Sequence, residues 1–374
     1  MDKIKVLMLV PNLRVSNGVA TFSMNYYRTM DHGSVKMDFV TYRDIESPYI
    51  DEIRENGDEV YVLPPVKNIV AHCKECVSVI RSGCYDIIHD NSLLITLPMM
   101  LIAKKHIGIR VLHSHSARLG ETAKNEKRNK LFLPILLNTA NCYAACSTKA
   151  GRSLFGDHPF TVIPNVIHAE SFRFDEKTRE SVRARENCGT QKIVGTVGRL
   201  TDAKNPYFAI DVMEDVLKRD DSVVYWWIGS GALDQPVAEY VRAKGLEDRI
   251  RLFGSRTDVT ELLQAIDVFF MPSKNEGFGL ACLEASATGL PCVVSDQFPA
   301  EVNVTGQVRF LSLLKRKEEW ADALLEALDC KPDRDAAYAR LLNSACTDTD
   351  AGKKLYEFYR KLLERQDEKG VIPC

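Results

Sequence analysis

Short apolar runs, each followed by a helical stretch, recur along this chain, and the pattern runs twice. Lys5–Val10 is almost unbroken in its hydrophobicity. A strand with consecutive apolar residues is buried on both faces, which is what a parallel sheet covered by helices requires. In the first series Lys5–Val10, Asp38–Thr41, Glu59–Leu63, Asp86–His89 and Arg110–His113 read as strands. Helices are expected up to Met30 and over Tyr49–Asn56, Ile69–Ser82 and Leu94–His106. Tyr143–Ser147 and Thr161–Ile163 follow, then the charged, poorly periodic stretch Ser171–Thr190, where a boundary is expected. The second series has strands Lys192–Val197, Val223–Ile228, Ile250–Phe253 and Val268–Met271, with Pro291–Ser295 expected to close the sheet. Helices Asn205–Arg219, Pro236–Lys244, Val259–Ala265 and Gly279–Thr288 lie between them. Alternation of this kind predicts an α/β chain of two Rossmann-like doubly wound domains facing across a cleft, a common ligand site. With 374 residues and ~150 residues per domain, two domains are expected, 1–168 and 169–349. A last helix over 350–374 carries Leu355, Phe358, Tyr359 and Leu362 at helical spacing and needs an apolar partner.

Composition narrows the class. The net charge of −2 provides no global field toward nucleic acid, and none is expected as a partner. No run of ~18 apolar residues is present, so no bilayer span is expected. The start, MDKIKVLMLVPN, is too short and strand-like for a signal peptide. Eleven scattered cysteines fit free thiols in a reducing cytoplasm. Cys73–Cys76 is a CxxC pair, but no second pair follows at zinc-site spacing.

Two segments can carry chemistry. In Glu276-Gly277-Phe278-Gly279-Leu280-Ala281-Cys282-Leu283-Glu284, two carboxylates bracket a glycine-rich turn at a helix start. Free N–H groups there suit a phosphate. Glu284 is flanked by apolar and small residues, and a carboxylate so placed needs a partner such as ribose hydroxyls. In Gly198-Arg199-Leu200-Thr201-Asp202-Ala203-Lys204-Asn205, a strand ends and a helix begins. Ligands of open α/β sheets bind beyond strand carboxyl ends. Arg199 and Lys204 can hold a diphosphate there and stabilise the charge that grows as it leaves.

Gly198-Arg199…Lys204, then Gly229-Ser230-Gly231, then Glu276…Glu284 resembles the G-R-x4-K, G-x-G and E-G-F-G-x4-E pattern of retaining glycosyltransferases of family four, the group 1 glycosyltransferases of GT-B fold. Within that family the chain is similar to bacterial capsule and exopolysaccharide transferases. The supporting residues are His113-Ser114-His115-Ser116, Ala145-Cys146-Ser147, Pro164-Asn165, Asp258-Val259, Met271-Pro272-Ser273 and Trp320. The resemblance implies hexosyl transfer from a nucleotide diphosphate sugar, expected to be a UDP-sugar, to a glycan or lipid-linked acceptor. It implies that Glu284 binds ribose, and that Glu276 with Gly277 and the amides of Phe278, Gly279 and Leu280 holds the sugar and phosphate. Arg199 and Lys204 would grip the diphosphate, and the base would sit near Gly254, Ser255 and Arg256. In the first domain Gly18 would line the donor, and either His113 or His115 would meet the donor sugar; strand alternation does not choose between them, since they are i and i+2. The terminal helix would cross back to the first domain. No cofactor and no metal are expected.

Several positions depart from the family pattern. Ser16-Asn17-Gly18 holds one glycine where a pair is usual, Val166 stands in place of a glycine, and His168 in place of an Asp. Asp348-Thr349-Asp350 has the form of a metal-binding triplet but lies in a polar tail, and reads as a loop before a helix N-cap. Lys124–Leu137 joins Lys124, Lys127, Arg128 and Lys130 to Leu131, Phe132, Leu133, Ile135, Leu136 and Leu137. Such a stretch suits peripheral contact between a cytoplasmic chain and an anionic membrane, with Pro134 expected to end or kink the helix. The rival readings are a sugar-nucleotide epimerase or a non-catalytic sugar-nucleotide binder of the same fold. A dinucleotide oxidoreductase is disfavoured because G-x-G-x-x-G is missing after the first strand.

Overall fold

The computed structural model describes residues 3–15, 17–43, 45–120 and 123–369. Ser16 of the first-loop triplet, and residues 370–374 of the expected terminal helix, lie outside the described residues. The chain divides into two compact units, Met1–Val166 with Thr347–Cys374, and Ile167–Cys346.

The first unit is built on seven parallel strands: β1 (Ile4–Leu9), β2 (Val35–Thr41), β3 (Val60–Val62), β4 (Ile87–Asp90), β5 (Ile109–Ser114), β6 (Cys142–Ala145) and β7 (Thr161–Val162). Their order is β3-β2-β1-β4-β5-β6-β7. The strand order reverses between β1 and β4, the place where doubly wound sheets form a ligand crevice. On one face Val6, Met8, Phe39 and Val111 pack with Phe22 and Tyr26 of helix Gly18–Tyr27. The terminal helix Ala351–Lys369 lays Leu355, Tyr359 and Leu362 into that same core. Its first turn comes close enough to the end of helix Gly18–Tyr27 for the Gly352 N–H to donate to Thr29 Oγ1 at 2.9 Å.

The second unit holds six parallel strands: β8 (Lys192–Val197), β9 (Val223–Ile228), β10 (Ile250–Gly254), β11 (Val268–Met271), β12 (Cys292–Ser295) and β13 (Val308–Leu311). They are ordered β10-β9-β8-β11-β12-β13, with the reversal between β8 and β11. Trp227, Tyr225, Phe270 and Trp320 fill one side of the sheet.

Four local expectations are corrected. Pro291–Ser295 does not close the second sheet, because β13 pairs with β12 from Cys292↔Val308 to Ser295↔Leu311. Four residues with an exposed Arg309 among them give too short an apolar run to stand out. The stretch Ser171–Thr190 contains the helix Glu176–Arg185, in which only Val182 is buried. Polar contacts hold it: Asp175 caps Thr178 N at 2.8 Å, and Arg179 and Arg183 reach Asp267 at 2.6 and 3.4 Å. A helix without an apolar stripe leaves no periodicity to read. The expected helix Leu94–His106 is a 3₁₀ turn, Leu93–Thr96, followed by Leu97–Ala103, with Pro98 in the first helical turn, where its missing N–H costs nothing. Helix Ala123–Leu137 runs through Pro134 without ending there.

Candidate active site

The two chemical segments of the second unit are the loops that follow β8 and β11, so both lie at the reversal of strand order. Trp227 Nε1 donates to Gly198 O at 2.9 Å and pins the start of the first loop. The loops are then laced together. Lys204 Nζ lies 2.5 Å from Glu276 Oε1, and Lys274 Nζ lies 2.6 Å from Asp202. Lys274 N donates to Ala203 O at 2.8 Å, and Asn205 Nδ2 to Pro272 O at 3.2 Å. Glu276 is buried and Lys204 half-buried, while Arg199 is exposed. Lys204 and Glu276, 72 residues apart in sequence, therefore share one spot.

Helix Leu280–Ala287 opens from Gly279, which caps it with no side chain. Gly279 has φ +95°, and a Cβ there would meet the Phe298 ring at 2.4 Å, so only glycine fits. Gly277 and Phe278 are buried beside it. The uncapped helix start leaves backbone N–H groups and partial positive charge for an anion. Glu284 is half-buried in the second turn, and among the described residues its carboxyl has neither a hydrogen bond nor an ion pair. Desolvation pushes its pKa up to about 8. A carboxyl held without a protein partner is set to accept hydrogen bonds from a ligand.

Gly254, at the end of β10, bridges to Gly229 after β9, and Gly229 N donates to Gly254 O at 2.8 Å. Ser255 is exposed. The Arg256 guanidinium is turned into its own unit, 2.7 Å from Asp258 and 3.4 Å from Glu186. The hydrogen bond to Asp258 raises its pKa, so the side chain is committed to this network.

In the first unit four rings form a chain. His115 stacks on His113 with centroids 4.1 Å apart, and His113 stacks on His89 at 5.2 Å. His89 Nε2 is 3.0 Å from His113 Nδ1, and His89 Nδ1 is 2.7 Å from the Tyr359 hydroxyl. Burial holds the pKa of His89 and of His115 down to about 3, and that of His113 well below the usual range. All three are neutral at physiological pH. His113 is fully buried, with Nε2 unpartnered among the described residues, whereas His115 is half-buried. Asn17 caps helix Gly18–Tyr27 by accepting from Val19 N and Ala20 N, and a Cβ on Gly18 would meet nothing within 4 Å.

Residues 178–341 match the family described as Glycosyl transferases group 1. The chain is similar to the putative glycosyltransferase EpsF of Bacillus subtilis, 29% identical over 323 residues that cover 83% of this chain and 84% of that one. It is also similar to the UDP-Gal:alpha-D-GlcNAc-diphosphoundecaprenol alpha-1,3-galactosyltransferase of Escherichia coli, 26% identical over 79% of this chain and 80% of that protein. Among solved structures, Anabaena HepE in complex with UDP and glucose superposes with a TM-score of 0.78 at 16% identity, covering 96% of this chain and all of that one. The fold is thus that of the GT-B glycosyltransferases, with two parallel-sheet α/β domains.

The structure brings together Arg199, Lys204, Glu276, Gly277, Phe278, Gly279, Leu280 and Glu284 in the two loops and one helix at the β8/β11 reversal. Gly254 and Arg256 lie at the end of β10, beyond β9. His113 and His115 belong to the first unit. Sequence reasoning missed His89, Asn91 and Tyr359 as neighbours of those histidines. The available signal was the polar His89-Asp90-Asn91 at the end of an apolar strand; Tyr359 gave none, since it read as part of an apolar stripe.

Proposed function

We propose that this chain is a retaining, metal-independent glycosyltransferase that moves a hexose from a UDP-sugar to a glycan or lipid-linked acceptor in surface polysaccharide synthesis. The observation that carries the reading is Glu284. It is a half-buried carboxyl without a protein partner, on the helix whose uncapped start adjoins the Lys204–Glu276 pair. Ribose hydroxyls supply the missing donors, and Arg199, Lys204 and the N–H groups of Phe278, Gly279 and Leu280 suit a diphosphate. As the bond to the sugar breaks, negative charge gathers on the leaving diphosphate, and these fixed donors stabilise it without a metal ion. Glu276 reaches toward the donor sugar. A nucleobase beside Gly254 and Ser255 would meet backbone and hydroxyl groups, because Arg256 is engaged with Asp258. In the first unit we assign the contact with a sugar hydroxyl to the half-buried His115 and not to the fully buried His113.

The Escherichia coli relative's name specifies a UDP-Gal donor and a diphosphoundecaprenol-linked acceptor, which supports a UDP-sugar and a lipid carrier here. No helix among the described residues is long and apolar enough to cross a membrane. Contact with the bilayer is proposed through Ala123–Leu137, where Lys124, Lys127, Arg128 and Lys130 are exposed beside Leu131, Phe132 and Ile135, which are 73%, 40% and 47% exposed.

The test is transfer from UDP-glucose and UDP-galactose to a polyprenyl-diphosphate-linked GlcNAc acceptor, in EDTA and in magnesium. An α-linked product formed at equal rates in both is expected. A β-linked product overturns retention, and a strict magnesium requirement overturns the metal-free mechanism.

A further inference from the structure

The turn after β4 holds His115 in a defined way. The Asn91 carboxamide has three contacts that fix its orientation and the proton of its neighbour. Its Nδ2 group lies 3.3 Å from His89 O and 2.8 Å from Met8 Sδ. A carbonyl and a thioether only accept, so the NH2 end must face them. The Oδ1 end then faces His115 Nε2 at 2.8 Å. Since Oδ1 also only accepts, Nε2 must carry the ring's proton. His115 is neutral, so Nδ1 is left as a bare lone pair, and it has no partner among the described residues.

We propose that Asn91 is a positioning residue that fixes His115 as its Nε2-protonated tautomer, so that the ring offers the Nδ1 lone pair to a hydroxyl of the donor sugar. The proposal rests on the reading that His115 meets that sugar.

The ring is clamped for this task. It stacks on His113 on one side and meets the Phe22 ring at 4.6 Å, so Asn91 fixes which edge turns outward. The Asn91 turn is itself held. Asp90 accepts from Ser92 N at 2.8 Å and from Thr96 Oγ1 at 2.5 Å. Two residues on, Leu93 sits at φ +57°, a left-handed conformation that an apolar side chain adopts only when its surroundings impose it. A neutral acceptor has a consequence for specificity. It pairs with a hydroxyl but faces an unpaired contact when that hydroxyl is replaced by hydrogen or fluorine, which donate nothing.

Ring-nitrogen NMR on the full chain with ¹⁵N-labelled histidine reads the tautomer directly. In the wild type, His115 is expected to show an unprotonated Nδ1 and a protonated Nε2 from pH 5 to 8. Asn91→Ala should give mixed tautomers, and Asn91→Asp, which keeps an acceptor toward Nε2, should retain the wild-type one. In kinetics, Asn91→Ala should raise the donor KM roughly tenfold, the worth of one such hydrogen bond, with UDP affinity unchanged. In a His115→Ala background it should add nothing. A protonated Nδ1 in the wild type overturns the assignment to Asn91, with no variant needed. An Asn91→Ala loss that persists undiminished without His115 overturns it as well. If the tautomer is as expected but His115→Ala leaves the donor KM unchanged, the role toward the donor sugar falls while the tautomer stands.

Discussion

Lys204 Nζ lies 2.5 Å from Glu276 Oε1, and this contact joins the loop after β8 to the loop after β11 where the second sheet reverses its strand order. The cation is therefore paired within the protein itself. Under the proposed function, a diphosphate bound beside it would share Lys204 with Glu276.

Lys204→Ala should consequently act twice. It leaves the buried Glu276 carboxylate without its cation, and stability should fall by roughly 1–3 kcal/mol, read as a lower Tm. Under the proposed function it would also remove charge stabilisation that peaks as the diphosphate leaves, so kcat should fall more than UDP affinity. Equal losses in kcat and in UDP binding would mean that Lys204 only anchors the nucleotide.

Glu284 gives a pH signature. Its folded pKa, about 8, is above the ordinary 4.5, so the folded chain holds a proton that the unfolded chain releases between those values. Stability from this group is full below about pH 4.5 and is lost as pH rises toward 8. Glu284→Gln should remove that loss and leave the variant more stable than wild type at pH 8, by about 1–3 kcal/mol. Ribose hydroxyls favour the ionised carboxylate, so wild-type UDP affinity should rise from pH 6 to 8, and the Gln variant should bind UDP more weakly with a flat profile. Calorimetric titration of UDP at several pH values checks this, and a pH-independent wild-type affinity would remove Glu284 from the ribose site.

Gly352 marks where the terminal helix meets the first unit. A Cβ there would fall 2.1 Å from Thr29 O, a backbone atom that cannot turn aside. Gly352→Ala should destabilise the chain by about 1–3 kcal/mol despite its better helix propensity. A denaturant midpoint at or above wild type would show that the helix docks less tightly than the structure has it.

The exposed basic and apolar residues of Ala123–Leu137 should bind anionic vesicles. Each cation near such a surface contributes about 1 kcal/mol, within a Debye length of ~8 Å at physiological salt. Lys127, Arg128 and Lys130 changed together to Glu should abolish co-sedimentation at low salt. Leu131→Ser with Phe132→Ser should weaken what survives at high salt. Equal sedimentation of wild type and the triple variant would make this helix an ordinary solvated face.

Sequence alone determined the alternation of strands and helices, because parallel strands buried on both faces must be apolar throughout. It also marked the segments proposed here to carry chemistry: Gly198–Asn205 and Glu276–Glu284 are short, and backbone turns need glycine and a helix start within one stretch of chain. What it could not determine were relations between distant residues. That Lys204 pairs with Glu276 follows from strand order, which local propensity does not encode. Between His113 and His115 alternation was silent, and burial separated them: one ring is sealed in the core and the other reaches the surface. The helix Glu176–Arg185 was illegible because ion pairs to Asp267 hold it instead of an apolar stripe. Asn91 was invisible for the same kind of reason. Its significance lies in a carbonyl, a sulfur and a ring nitrogen that only the folded sheet brings around one amide.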